Sequence, residues 1–217
     1  LLLFVCAGVA RPAFDPMTTL LRPPLVLASG SRYRRELLER LRLPFEVHAP
    51  DIDEAAVPNE TPVATAKRLS RLKAEAVALR FPAAVVIGSD QVAECDGEAF
   101  GKPGTHDAAV AQLRTLRGRT VAFHSGLCVI APSGSDLSTQ VDVVTTTVRF
   151  RALDDNAIDA YLRSEQPYDC AGSAKAEALG IVLLERIDSS DPTALIGLPL
   201  IALVSMLNAI GYPILAP

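Results

Sequence analysis

Short apolar runs that alternate with amphipathic stretches of helical period constrain this chain more than any other feature. LVLA at 25–28 and AVVIG at 84–88 are too short for buried helices and read as strands covered on both faces. Between them, 62–80 carries Ala66, Leu69, Leu72, Ala76 and Leu79 at helical spacing, with Thr61 placed as a cap and Pro62 in the first turn. Residues 32–41 and 107–116 read as further helices, the first with Leu37, Leu38 and Leu41 inward. The Val- and Thr-rich stretches 120–131 and 139–151 read as long strands joined by a hairpin turn at 133–135. A helix is expected at 154–163, a strand at 181–187 and an apolar helix at 198–210, closed by Gly211 and Pro213. This order predicts an α/β fold on a mixed, strongly twisted sheet with flanking helices, parallel units early and an antiparallel pair in the middle. Residues 120–170 are expected to form a smaller lobe, with a cleft between the lobes. No internal repeat, low-complexity tract or linker interrupts the pattern.

Composition narrows the function classes. A 217-residue, 23.1 kDa chain suits one domain, or two small lobes sharing a core. Its 49% hydrophobic content and mean hydropathy of +0.26 argue against disorder. A net charge of −4 excludes a generally basic nucleic-acid binder, so any anion site must be local. An RNA- or anticodon-binding domain also conflicts with the lack of an aromatic-basic surface pattern. Cys6, Cys95, Cys128 and Cys170 show no CxxC spacing and read as thiols of a reducing cytosol, with a long-range disulfide left open. The N-terminal LLLFVCAGVA is shorter than a membrane span and lacks a basic leader, while Met17 stands eight residues before the first strand. Residues 1–16 therefore read as an extension, with a cleaved export signal as the alternative. The expectation is disorder or an extension over 1–22, a single domain over 23–217, a cytoplasmic location and no membrane contact.

Several positions carry chemistry. The first strand runs into Ser29-Gly30-Ser31, and Arg32, Arg34 and Arg35 follow as a helix begins. Free N–H groups, a positive dipole end and arginine forks there suit phosphate oxygens. An ordinary Ser-capped helix with a solvated basic face is the alternative. Asp90 follows VVIGS, a place for a metal-binding or water-activating carboxylate or simply for a turn cap. Lys102 projects from the rigid GKPG loop as a point charge for a phosphate. Lys73 lies on the long amphipathic helix, where a solvated face is the stronger reading. Glu36 and Glu54 are spare acids able to hold a hard cation, and spacing assigns neither. The small-residue loop 169–177 bears Lys175 and Glu177. It is either an exposed loop or a close approach to a flat ligand, where a carboxylate meets a base edge or a cationic ring. His48, His106 and His124 are scattered, and no HExxH, GxxxxGK[ST], GxSxG or dinucleotide fingerprint occurs.

Taken in order, LASGSRYRRELL at 27–38, RLSRLKAEA at 68–76, IGSDQV at 87–92, GKPG at 101–104, CAGSAKAEALGI at 170–181 and DPTALIGLPL at 191–200 resemble the Maf family of nucleoside triphosphate pyrophosphatases. The resemblance spans nearly the whole chain from Leu25 onward. It implies a two-lobed Maf/ITPase-like fold around a deep cleft, usually a homodimer. It also implies hydrolysis of a nucleoside triphosphate to the monophosphate and pyrophosphate with a divalent cation (Mg2+, Mn2+ or Co2+). Tyr33, Gln91 and Glu177 are similar to the branch implied to act on 7-methyl-GTP, whereas the dTTP and UTP branch has Arg, Thr and Gln there. A 7-methylated guanine is cationic, so an aromatic face and a carboxylate favour it, and Gln91 can donate and accept at the base edge. Arg32 departs from the Pro often found after the second Ser.

On this resemblance Ser29, the helix start, Arg34, Lys73 and Lys102 hold the triphosphate, and Asp90 is the base for water or a cation ligand. Glu54 and Glu36 are the further cation candidates. Two alternatives stand beside it. One is a pyrophosphatase for dTTP, UTP or other non-canonical triphosphates. The other is a non-catalytic nucleotide-binding regulator of cell division, which the presence of Asp90 and the loop lysines disfavours.

Overall fold

A computed structural model describes residues 22–132 and 139–215 of the chain. The expectations for residues 1–21, for Cys6 and for the turn at 133–135 lie outside the described residues. Seven strands form one mixed sheet: β1 Leu25–Ala28, β2 Glu46–Val47, β3 Val85–Cys95, β4 Glu98–Phe100, β5 Thr120–Ile130, β6 Thr139–Phe150 and β7 Leu184–Asp188. Among the described residues five α-helices flank it: α1 Arg32–Glu39, α2 Pro62–Ala78, α3 His106–Leu116, α4 Asp155–Glu165 and α5 Leu200–Ala209. The strand order is β2-β1-β3-β5-β6-β7, with β4 paired to β3. β1 runs parallel to β2 and β3, and every other pairing is antiparallel, so the mixed α/β class expected from the sequence holds.

Two strands differ from expectation. β3 does not end at 88; it continues through Ser89, Asp90 and Gln91 to Cys95. The polar triplet resembles a turn in isolation, but β5 pairs with β3 from Val86 to Glu94 and supplies its backbone with partners throughout. At 181–187 the chain first makes a 3-10 turn, Leu179–Leu183, and only then β7. Gly180 there abuts the Lys175 backbone, where a Cβ would meet the carbonyl oxygen at 2.5 Å, and this close return coils the chain before it extends. β2 and β4 are too short to show a period in sequence.

The length of β3 creates the central geometric feature. β1 pairs with it as far as Gly88, and β4 pairs with it from Ala93 onward. Residues 89–92 therefore have β5 on one side and an open edge on the other. The β1–α1 turn flanks that edge at one end, and the loop after β4 flanks it at the other.

Packing secures both ends of β3. Leu27, Leu37, Ile87, Leu127 and Leu203 join α1 and α5 to one face of the sheet. Val26, Val86, Ala74, Val77 and Cys128 seal the opposite face under α2. A third cluster gathers Phe100, Leu113, Phe123, Phe150, Ile158 and Leu162 around the far ends of β3 and β6, with α3 and α4. β3 and β5 contribute to all three clusters.

α2 sits unusually close to the sheet because two glycines lie beneath it. A Cβ on Gly88 would meet the Ser70 carbonyl oxygen at 2.2 Å, and one on Gly126 would meet that of Ala66 at 2.2 Å. Gly126 lies directly across from Asp90 in the β3–β5 register. The helix therefore presents Lys73 to the sheet rather than to water, at 6% exposure, which corrects the solvated-face reading of that residue. Among the described residues, no helix is long and apolar enough to cross a membrane.

Candidate active site

A cleft of about 740 Å3 opens over the free edge of β3, within the usual size range of small-molecule sites. Ser29, Tyr33, Arg34, Glu54, Lys73, Asp90, Gln91, Lys102 and Glu177 all line it, although they come from widely separated segments. Glu36 does not; it is exposed on α1 outside the lining. The histidines are elsewhere, bonded to Glu46 (His48), to Tyr168 and Asp159 (His106), and to Glu94 and Thr145 (His124).

The strand period of two divides β3 between two tasks. Asp90 points to the α2 face, where Lys73 Nζ donates to its Oδ1 at 2.6 Å. The same ammonium lies 3.0 Å from Glu54 Oε1, so one lysine gathers two carboxylates from different segments. Asp90 is 8% exposed and Glu54 keeps 55% side-chain exposure, which places the pair at the wall and rim of the cleft. Ser89 and Gln91 point to the opposite face. Ser89 Oγ lies 2.8 Å from the carbonyl oxygens of Gly126 and Gly197. Gln91 Nε2 donates toward Ser125 Oγ and the carbonyls of Ala194 and Leu195 at 2.9–3.0 Å. Its nitrogen is thus committed to the 194–196 turn, and only its oxygen remains for a base edge, which narrows the donor-and-acceptor role expected of it.

The β1–α1 turn builds the anion-binding end. Ser31 caps α1 by accepting from the Arg34 N–H, and Ser29 Oγ accepts from the Ser31 N–H. Residues 29–34, which include the start of α1, line the cleft, and a helix start leaves first-turn N–H groups without intrahelical partners. Arg34 Nε donates to the Gly197 carbonyl at 2.9 Å, and Nη1 reaches Ser29 Oγ at 3.4 Å. Burial lowers the Arg34 pKa, opposed by Asp90 and Glu54, but a guanidinium keeps its charge in such a setting. Lys102 is exposed on its loop across the cleft, with no ion pair among the described residues.

Tyr33 and Glu177 define the other end. The Tyr33 hydroxyl lies 2.6 Å from Arg32 Nη2 and 3.4 Å from Asp169 Oδ1. Burial pushes its pKa up to about 12, so it stays a neutral phenol at working pH. Glu177 keeps an exposed surface, yet crowding at the cleft wall raises its pKa, with Lys175 opposing and Glu165 and Glu36 adding to the rise. Cys170 lies beside Tyr33, and burial holds its thiol at about 12, which leaves it inert. The loop 169–177 thus belongs to the cleft wall.

The sequence reading missed the residues that hold this arrangement. The Gly197 carbonyl ties both Arg34 and Ser89. Buried Asp191 accepts from Thr193 through Oδ1 and caps α5 through Oδ2, which receives the Ile201 N–H at 2.7 Å. The DPTALIGLPL segment was visible, but its Gly197 and Ala194 carbonyls are engaged from Arg34, Ser89 and Gln91 across the fold, which leaves no local pattern.

The family model described as Maf-like protein matches residues 24–210. The chain belongs to the Maf family. It is 61% identical over 192 residues to the 7-methyl-GTP pyrophosphatase of Cupriavidus metallidurans, covering 88% of this chain and 96% of that protein. The 7-methyl-GTP pyrophosphatase of Burkholderia pseudomallei is 62% identical over 196 residues, covering 88% and 90%. That of Ralstonia nicotianae is 59% identical over 196 residues, covering 90% and 100%. The solved Ham1 protein of Staphylococcus aureus is similar with a TM-score of 0.44 and 20% identity, over 59% of this chain and 72% of that one.

Proposed function

We propose that this chain hydrolyses 7-methyl-GTP to 7-methyl-GMP and pyrophosphate, as the names of its relatives suggest. The observation that carries most weight is the position of Asp90 on the open edge of β3, between a cationic phosphate end and an aromatic-acidic base end. Ser29, the α1 start, Arg34 and Lys102 hold the phosphates and stabilise charge developing on the departing pyrophosphate. Lys73 fixes the Asp90 carboxylate through Oδ1. The other oxygen orients a water and takes its proton as the water oxygen bonds to the α-phosphorus and the α–β anhydride bond breaks.

A divalent cation fits this donor set. Among the described residues, no three His, Cys, Asp or Glu side chains form a complete metal site. Asp90 and Glu54 nevertheless converge, both reaching one Lys73 ammonium, and Mg2+-like ions are commonly held by one or two carboxylates plus substrate phosphates. Such an ion, when bound, neutralises charge on the phosphate oxygens. Glu36, outside the cleft lining, takes no part in this arrangement.

At the base end, the Tyr33 ring and the Glu177 carboxylate favour a methylated, cationic purine over neutral bases, and this sets the reading apart from a dTTP or UTP pyrophosphatase. A homodimer accompanies it, as the family resemblance implies, with a cytoplasmic location as the default. Asp90→Asn tests the catalytic assignment. Turnover of 7-methyl-GTP should fall by about a thousandfold or more, the scale of lost base and electrostatic catalysis combined, while calorimetric binding of the nucleotide persists. A variant that retains most of its turnover would remove Asp90 from the reaction.

A further inference from the structure

A lysine that no step above uses stands close to the base end of the cleft. Lys175 Nζ lies 5.8 Å from the centre of the Tyr33 ring, at the outer limit where a cation and an aromatic face attract. It is held back by Glu165 at the end of α4, whose Oε1 lies 2.5 Å from the ammonium. Both side chains are largely buried, at 19% and 13% exposure. The second Glu165 oxygen accepts the Leu179 N–H, and the Lys175 N–H donates to the Tyr161 hydroxyl. The end of α4 therefore grips the chain on both sides of Glu177.

Other charges also surround the ring. The Arg32 guanidinium lies 4.7 Å from its centre, and Asp169 reaches the Tyr33 hydroxyl. Charge at this end of the cleft is finely divided, and Lys175 is a full positive charge that only Glu165 neutralises by direct contact among the described residues.

We propose that Glu165 is a specificity-positioning residue: by pairing with Lys175, it neutralises a positive charge beside Tyr33 and Glu177, restrains its approach, and leaves that subsite to a cationic base. This inference rests on the 7-methyl-GTP reading. A largely buried ion pair that loses one member leaves a charge in search of another partner. For Lys175 the near choices are the Tyr33 face and the Glu177 carboxylate, the two groups expected to receive the methylated base. A neutral guanine meets little of that repulsion, so the effect falls on discrimination between bases.

The test compares kcat/KM for 7-methyl-GTP and GTP in four proteins: wild type, Glu165→Gln, Lys175→Met and the double variant. Glu165→Gln keeps the shape of the contact and removes its charge. Its 7-methyl-GTP to GTP ratio should fall about tenfold, through KM for the methylated substrate, with kcat for GTP unchanged. The double variant should regain the wild-type ratio, because the stray charge is gone. A ratio unchanged in Glu165→Gln, an equal loss on both substrates, or no recovery in the double variant would each overturn the inference. Should Glu165→Gln fail to fold, Lys175→Met alone decides: a retained or raised ratio supports the inference, and a lowered one overturns it. A wild-type ratio near one would instead overturn the substrate reading and this inference with it, whereas a high wild-type ratio that Glu165→Gln keeps would overturn this inference alone.

Discussion

Lys73 and Glu177 show what sequence conveys about single residues and where it stops. Lys73 sits at a helical position that reads as solvated, and only the glycines beneath α2 reveal that its ammonium is buried against Asp90 and Glu54. Nothing local in RLSRLKAEA encodes that approach; its cause lies in Gly88 and Gly126, on two other strands. Glu177 was legible as a candidate because small residues surround it, but the rise in its pKa comes first from partial burial in the folded protein, with Glu165 and Glu36 adding to it. That rise has a consequence in solution. A carboxylate with a raised pKa stays protonated to a higher pH than an ordinary glutamate, near 4.3, and so loses its attraction for a cationic base earlier on acidification. The preference for 7-methyl-GTP over GTP, measured as kcat/KM of the free enzyme, should decline as pH falls through a window above that ordinary value. Glu177→Gln should show a lower preference that no longer responds to acid. A wild-type preference flat across the acid limb would detach Glu177 from base recognition.

At the scale of elements, β3 decides the site. Its apolar first half was readable as a strand, and its polar second half was not, because pairing with β5 rather than local propensity keeps Ser89, Asp90 and Gln91 extended. The open edge follows from where two neighbours stop and start, at Gly88 and Ala93. Helices were easier to read, since α1, α2, α3 and α4 each begin at a Ser, Thr or Asp whose side chain accepts a first-turn N–H. The close seating of α2 on β5 is directly testable. Gly126→Ala places a Cβ 2.2 Å from the Ala66 carbonyl oxygen, so α2 must lift from the sheet and carry Lys73 with it. A destabilisation of about 1–3 kcal/mol is expected, with Tm falling by about 2–12 °C and kcat falling as Lys73 withdraws from Asp90. An unchanged Tm and kcat would mean that the helix tolerates the methyl group without moving.

For the whole molecule, three packed clusters share β3 and β5, and the cleft lies along the open stretch of β3 between its pairings with β1 and β4. This layout explains why motifs far apart in sequence become one site: the β1–α1 turn, α2, the middle of β3, the loop after β4 and the 169–177 loop all reach the same edge. The order of those motifs was visible in the sequence, and so was the mixed α/β class. The ties that lock them together were not, because Ser89, Gly197 and Gln91 act through contacts between distant segments. The central proposal is a pyrophosphatase whose cleft selects a cationic, methylated purine. Its most direct test is to incubate the wild-type protein and a divalent cation with 7-methyl-GTP, GTP, dTTP and UTP, and to identify and quantify the products. The expected products from 7-methyl-GTP are 7-methyl-GMP and pyrophosphate, formed with a kcat/KM well above that for the other three. Equal turnover of all four, a preference for dTTP or UTP, or release of inorganic phosphate with a nucleoside diphosphate would contradict it.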